Sequence, residues 1–148
     1  MRKRVQKIFL FLMLTFALCV SPVGAEEQLF GDYTVNYVAV YSNFLRPEIA
    51  ERYGIVRSAR NAFVNISVLR NDSSLGTPVS ARISGEKENF IGQSEAIEFI
   101  EIREGDAIYY IGQFEFSNAE NLRFNLSVQP ENQGLAYSLS WTTQMYIN

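Results

Sequence analysis

The chain has 148 residues, with 13 basic and 16 acidic side chains and a formal net charge of −3. It contains no histidine, and its single cysteine is Cys19. This composition excludes an intrachain disulfide, imidazole bases and the usual zinc or copper ligand sets. The chain also contains neither a glycine-rich phosphate loop nor a G-x-S-x-G sequence. Composition therefore favours a binding protein that needs no cofactor over an enzyme.

The first 25 residues have the pattern of a secretory signal. Four cations lie within the first seven residues, an apolar run covers 8–20, and Val23-Gly24-Ala25 ends the segment. We predict cleavage before Glu26. A retained anchor is the less favoured alternative, because the apolar run is shorter than the ~20 residues that span a bilayer. Lipidation of Cys19 is not expected, since Leu18 stands where a lipoprotein signal needs a small residue.

Removal of residues 1–25 leaves residues 26–148, a length typical of one domain that can fold without disulfides. Only nine of the basic residues remain against all 16 acidic ones, so the formal charge becomes −7. Nucleic acid and anionic membrane are therefore disfavoured as partners. We expect a periplasmic protein with no stable membrane insertion after cleavage, whose partner is an envelope protein or peptide.

Alternation with a period of two dominates the predicted domain and indicates strands. The predicted strands cover 33–41, 62–70, 79–83, 96–103, 107–116, 122–129 and 135–145, and Gly85 is predicted to stop the third. Seven strands at this spacing indicate an all-β fold, an antiparallel β-sandwich of immunoglobulin-like architecture. The immunoglobulin topology itself is not predicted, because paired cysteines are missing and Trp141 lies in the last strand.

One segment, residues 44–54, breaks the alternation and predicts a short helix after the first strand. Pro47 suits the first helical turn and Glu48 favours its positive N-terminus. Gly54 is a natural left-handed stop. Ile49 and Tyr53 lie four residues apart on one helix face, and we expect them to plug one end of the sandwich.

The predicted helix and the residues after it concentrate positive charge in an otherwise acidic domain. Guanidinium groups suit bidentate contacts with carboxylates or phosphates. We therefore take this segment as the candidate binding site, with no catalytic and no metal-ligating residue assigned. Its members are Arg46, Glu48, Arg52, Tyr53, Arg57 and Arg60. The alternative is that these arginines form ordinary surface ion pairs with Glu48 and Glu51.

Two other functions remain open. The surplus of acidic residues is compatible with a carboxylate-based hydrolase of envelope polysaccharide, which needs two acids converging in a cleft. The many aromatic residues are compatible with a small-ligand carrier that has a pocket between the sheets. The acids at 98–106 lack the D-x-D-x-D-G spacing of a calcium loop, so a solvated hairpin explains them better.

The predicted mature chain resembles, over its whole length, a family of exported gammaproteobacterial proteins, domain-of-unknown-function family 4426. The resemblance is carried by Gly31-Asp32-Tyr33, Tyr37 and the run from Phe44 to Ser58. It implies a small exported β-rich domain, and it implies no activity. Within this pattern we expect Pro47 to start the helix, Tyr53 to plug it and Gly54 to stop it, and we expect Arg57 to be held by the following strand.

Overall fold

The structure is a computed structural model that describes residues 25–132 and 134–147. The predicted leader therefore lies outside the described residues, apart from Ala25, and its cleavage stays a prediction. Among the described residues, no helix is long and apolar enough to cross a membrane.

Within the described residues the chain forms ten strands, a 3₁₀ turn at Ser42–Phe44 and one helix. In chain order these are β1 (Glu26–Phe30), β2 (Tyr33–Tyr41), α1 (Pro47–Tyr53), β3 (Asn61–Arg70), β4 (Thr77–Pro78), β5 (Ala81–Asn89), β6 (Ser94–Ala96), β7 (Phe99–Glu104), β8 (Ala107–Glu115), β9 (Glu120–Pro130) and β10 (Tyr137–Met145).

These strands form two antiparallel sheets, which confirms the predicted sandwich. Sheet A has the order β1-β2-β3-β8-β7, with β4 paired to β3, and sheet B has the order β10-β9-β5-β6. Strands β2, β5, β8 and β10 finish at the end of the sandwich where β3, β6 and β9 begin. We call this the open end and the opposite one the closed end, for reasons given below.

Aromatic rings fill the space between the sheets. Phe124 of sheet B lies 5.0 Å from Phe114 of sheet A and 4.7 Å from Trp141, measured between ring centroids. Trp141 in turn lies 4.6 Å from Tyr37. The Tyr110 hydroxyl accepts a hydrogen bond across the sandwich from the Ala81 backbone N–H, at 2.7 Å. The rings that suggested an internal ligand pocket thus contact one another.

The helix has the predicted cap residues but not the predicted position. Pro47 occupies its first turn, and Gly54 ends it with a left-handed φ of 66°. Instead of plugging an end of the sandwich, α1 covers the outer face of sheet A. There Ala50 packs with Phe63 and Ile111, which point away from the main core. These two residues leave the outer face apolar, and that face is what the helix buries.

Strand β5 differs from the prediction at Gly85, which was expected to stop it. Gly85 instead pairs with Leu126 in mid-strand, and β5 continues to Asn89. A Cβ atom at this position would lie 2.3 Å from the backbone oxygen of Asn125. Glycine is needed here because two backbones approach closely, and not because the chain turns.

The predicted strand 96–103 is in fact two strands in different sheets. Ser94–Ala96 pairs with β5 in sheet B, and Phe99–Glu104 pairs with β8 in sheet A. Ile97, which is buried, lies at the crossing between the sheets. The short β4 and the mostly exposed β1 were not predicted, since neither shows an alternation of buried and exposed residues.

Candidate binding site at the open end of the sandwich

The closed end of the sandwich is covered by a network of polar side chains. Arg70 pairs with Asp72 at 3.0 Å and with Glu131 at 2.5 Å. The Tyr33 hydroxyl donates to Glu131, and the Thr77 hydroxyl donates to Asp72, both at 2.6 Å. The hydrogen bonds from Thr77 and Arg70 hold the pKa of Asp72 below its ordinary value of 3.8. The polar side chains in this network partner one another.

The open end contains a cleft of about 340 Å³ between the two sheets. Strand ends β5 and β6 form one wall, and the segment joining β8 to β9 forms the other. Most of its lining is polar, and it carries side chains of both charge signs. The charged members are Arg60, Lys87, Glu95, Glu115 and Glu120.

Lys87 lies between this cleft and the apolar core. It follows Ile83 and Gly85 on the inner face of β5, so strand alternation turns its side chain inward. Its side chain is only 12% exposed, and its ammonium lies 3.0 Å from a Glu95 carboxylate oxygen. It also donates to the backbone oxygen of Glu115 and lies 6.0 Å from the centroid of the Phe114 ring. These contacts satisfy the ammonium at the base of the cleft.

One other charged group on the cleft, Arg60, has an unpaired side chain within the described residues. The backbone of Arg60 is fixed, because its carbonyl accepts from the Phe116 N–H and its N–H donates to the Ser58 hydroxyl. Glu115 contributes its backbone oxygen to the cleft, because its side chain follows those of Ile111 and Gln113 on the outer face of sheet A. Glu120 accepts a hydrogen bond from the Ser117 N–H at 2.6 Å. The cleft thus offers a free cation to a polar ligand.

The predicted site residues around α1 do not form one cluster of free charges. Arg46 and Glu48 come together in an exposed ion pair of 3.5 Å. The Arg57 guanidinium donates to the backbone oxygen of Asn43 at 3.2 Å, so it is held by the turn before the helix and not by the following strand as predicted. Arg60 lines the cleft at the open end. The structure therefore distributes these arginines among three different environments.

The other two members of the predicted site lie on the helix itself. Arg52 is exposed in the last helical turn, where a cation favours the negative end of the helix. Tyr53 is half-buried against the small apolar cluster beneath α1. The helix exit is held by Gln113, whose amide bonds the Gly54 carbonyl at 2.9 Å and the Val56 N–H at 2.8 Å. Tyr53 thus has a packing role.

Sequence reasoning missed most of the cleft. The prediction that Gly85 ends the third strand leaves Lys87 outside that strand, although both residues fit a continued alternation with Ile83. The glutamates at 95, 115 and 120 come from three strand ends that meet only in the folded sandwich. No local pattern in the sequence could have brought them together.

No metal site is evident in the part of the chain that the structure describes, where no group of three His, Cys, Asp or Glu side chains could hold an ion. The acidic hairpin at 98–106 accordingly presents ordinary contacts. Glu101 pairs with Arg103 at 2.6 Å and accepts a hydrogen bond from Tyr110 at 2.8 Å. These bonds, the one from Arg103 first, lower the pKa of Glu101 from its ordinary value of 4.5.

Solved structures with similar folds include two proteins. Uropathogenic Escherichia coli strain F11 FetP shares 11% identity and a TM-score of 0.61, over 82% of this chain and 93% of that one. A copper-bound variant of FetP gives 11% identity and a TM-score of 0.59, over 82% and 94% of the two chains. At this identity the likeness concerns the fold alone.

The other of these two proteins is a DUF4426 family protein from Pseudomonas aeruginosa PAO1, known from its crystal structure. It is 30% identical, with a TM-score of 0.74, over 84% of this chain and 97% of that one. The search of curated proteins found no match. Residues 27–148 match the family described as Domain of unknown function (DUF4426). The chain therefore belongs to the DUF4426 family.

Proposed function

We propose that this chain is an exported, non-catalytic binding module whose open-end cleft binds a segment of an envelope protein or peptide. The observation that carries the proposal is the guanidinium of Arg60, which has no partner within the described residues, on a cleft between otherwise well-packed sheets. Export is supported by the predicted signal at 1–25 and by β1, which begins at Glu26.

The side chains of the cleft suit a peptide better than an apolar ligand. A guanidinium can hold a carboxylate through two parallel hydrogen bonds, and a carboxylate can accept from an ammonium or backbone N–H. Gln93 and Ser117 add neutral donors and acceptors on the opposite walls. A polypeptide segment presents all of these complementary groups within a few residues.

Copper binding, which is known for FetP from its copper-bound structure, does not fit the residues of this chain. Histidine, cysteine and methionine are the side chains that protein copper sites use most. The chain has no histidine, and its one cysteine lies in the predicted leader. Outside that leader the only methionine is Met145, which is 1% exposed in the core. We therefore derive no function from copper.

The test is affinity purification of the tagged full-length protein after formaldehyde crosslinking in intact cells, with mass spectrometry of the captured proteins. Arg60→Ala is expected to lower the capture of the specific partner. Arg82→Ala is the matched control, because Arg82 is an exposed arginine on β5 away from the cleft. Equal capture by the wild type, Arg60→Ala and Arg82→Ala would contradict the proposal.

The predicted anion site at the helix remains a separate proposal. Arg46 and Arg57 flank α1 on the same connection, and both guanidiniums face solvent apart from one contact each. A partner carboxylate could replace the exposed contact with Glu48. The double variant Arg46→Ala/Arg57→Ala should then lose captured protein in the same assay, and unchanged capture would remove this site.

A second candidate function is the carboxylate-based hydrolysis of envelope polysaccharide. It is favoured by one observation, the presence of Glu95 and Glu120 on the same cleft. Glu95 is engaged by Lys87, and Glu120 accepts a hydrogen bond from the Ser117 N–H. Clearing of a purified cell-wall suspension that is abolished by Glu120→Gln would support this function. No clearing by the wild type would end it.

A further inference from the structure

The β5–β6 hairpin next to the cleft carries two large apolar side chains at its turn. Phe90 is 89% exposed and Ile91 is 77% exposed. We call these two residues the apolar tip. Exposed apolar side chains lower solubility. An incompletely covered core would not explain why two large apolar side chains stand next to each other at a hairpin turn.

The apolar tip is held in a fixed conformation by Asn89. The Asn89 side-chain oxygen accepts hydrogen bonds from the Ile91 N–H at 3.2 Å and the Gln93 N–H at 2.9 Å. Its amide nitrogen donates to the Gln93 side chain at 2.7 Å, and the Gly92 N–H bonds the Asn89 carbonyl. A turn ordered in this way loses little conformational freedom when its apolar side chains are buried by a partner.

The hairpin that presents the apolar tip is acidic. Residues 86–96 contain three glutamates and one lysine, a formal charge of −2. The lysine, Lys87, is turned inward to Glu95 and the Glu115 carbonyl, so its charge does not face a partner. Glu88 lies across from Arg123 of β9. An anionic bilayer would be repelled by this surface.

We propose that the apolar tip is an anchor that enters an apolar pocket, rimmed by lysine or arginine, on a partner protein. Rigid aromatic side chains that fill a pocket carry most of the binding energy in many interfaces. Because the hairpin is acidic and the predicted mature chain has a formal charge of −7, we expect the rim of the partner's pocket to be positively charged. This inference rests on the proposed function, since it places the partner of the cleft against the neighbouring hairpin.

The test places a photo-crosslinking amino acid at Phe90 in the full-length protein in living cells. Leu75, which is 79% exposed in the loop at the closed end, is the matched control position. We expect a protein adduct at position 90 and none at 75, with the crosslinked partner residues in an apolar pocket bordered by basic side chains. An adduct with lipid, with a second copy of this chain or with an acidic surface would overturn the proposal, as would no adduct.

The companion measurement uses the double variant Phe90→Ser/Ile91→Ser with the crosslinked partner in purified form. Affinity should fall roughly tenfold or more, and thermal unfolding should not change, because the apolar tip packs on no core. Leu75→Ser should leave affinity unchanged. If the double variant binds like the wild type while Arg60→Ala does not, the anchor is wrong and the proposed function stands. If neither variant changes binding, both are wrong.

Discussion

The two ends of the sandwich are built from the same strands but differ in whether their polar side chains are paired. At the closed end Arg70 is shared between Asp72 and Glu131, and the nearby hydroxyls of Tyr33 and Thr77 donate into the same network. At the open end the guanidinium of Arg60 has no partner within the described residues. A charge that the fold does not use is available to a ligand, so we expect a partner to bind at the open end and not at the closed end.

The largest effect is expected where β5 connects the two ends. Gly85→Ala would press its Cβ against the Asn125 carbonyl oxygen and the backbone of Leu126, which the antiparallel pairing holds in place. We expect it to lower the free energy of unfolding by about 3 kcal/mol, the upper part of the usual range for overpacking, because the backbone cannot move aside. Urea denaturation measures this, with Ser84→Ala on the exposed face as the control. A loss as small as that of the control would contradict the continuous strand.

Replacing Lys87 tests whether its ammonium group contributes to the stability of the fold at the open end. Lys87→Met keeps most of the packing on Phe114 but leaves the Glu115 carbonyl and Glu95 without their donor. The expected cost is about 1–3 kcal/mol in the free energy of unfolding. Lys87→Arg, which retains the charge, should cost less. Equal stability of the Met variant and the wild type would show that the ammonium is not part of the fold.

A reciprocal pair of arginine variants separates the two ends. Arg70→Ala should lower the melting temperature and leave partner capture unchanged, because it removes two ion pairs far from the cleft. Arg60→Ala should leave the melting temperature unchanged and reduce capture, because its guanidinium has no partner within the described residues. Calorimetry and the crosslinking assay measure the two quantities. The opposite pattern would reverse the assignment of the ends.

Acid should weaken the closed end in a defined pH range. The pKa of Asp72 is lowered in the folded state by its bonds with Thr77 and Arg70. A lowered folded-state pKa stabilises the fold above the unfolded value, and this contribution disappears as pH falls through the folded value. The melting temperature of Asp72→Asn should therefore lie below that of the wild type at neutral pH, and the two should converge below about pH 4. A constant difference would contradict this.

Much of the fold could be predicted from sequence because its signals are local. Alternation identified the strands of both sheets, and Pro47 and Gly54 marked the limits of α1. Gly85 was misread, since a glycine that ends a strand and one that permits close approach look alike in sequence. The position of α1 was missed because it depends on Phe63 and Ile111 meeting on one face of sheet A.

Of the residues predicted as the binding site, only Arg60 lines the cleft. The others were missed because the cleft, like the position of α1, depends on residues that are distant in sequence. The cleft is formed by residues from five separate segments of the chain, and its distinguishing property is which charges remain unpaired. Pairing depends on the register between strands, as in the placement of Lys87 opposite Glu95. Local charge density identified an arginine-rich segment, but it could not show that only Arg60 of that segment reaches the cleft.

The smallest effect is expected from copper. Equimolar Cu²⁺ should not shift the melting temperature of the purified domain, because the chain lacks histidine and its core methionine, Met145, is enclosed. The FetP variant whose structure contains copper is the positive control under the same conditions. A stoichiometric upward shift for this chain would show that binding in this fold does not require those ligands, and would contradict the peptide assignment.

The most direct test of the central claim compares two serines, one at each end of the sandwich. Ser117 lines the cleft and Ser73 lies in the exposed loop at the closed end. A photo-crosslinking residue is placed at each position in the full-length protein and activated in living cells. We predict a specific peptide or protein adduct at position 117 and none at 73. Adducts of equal yield at both positions, or only at 73, would contradict the claim that the open end is the binding end.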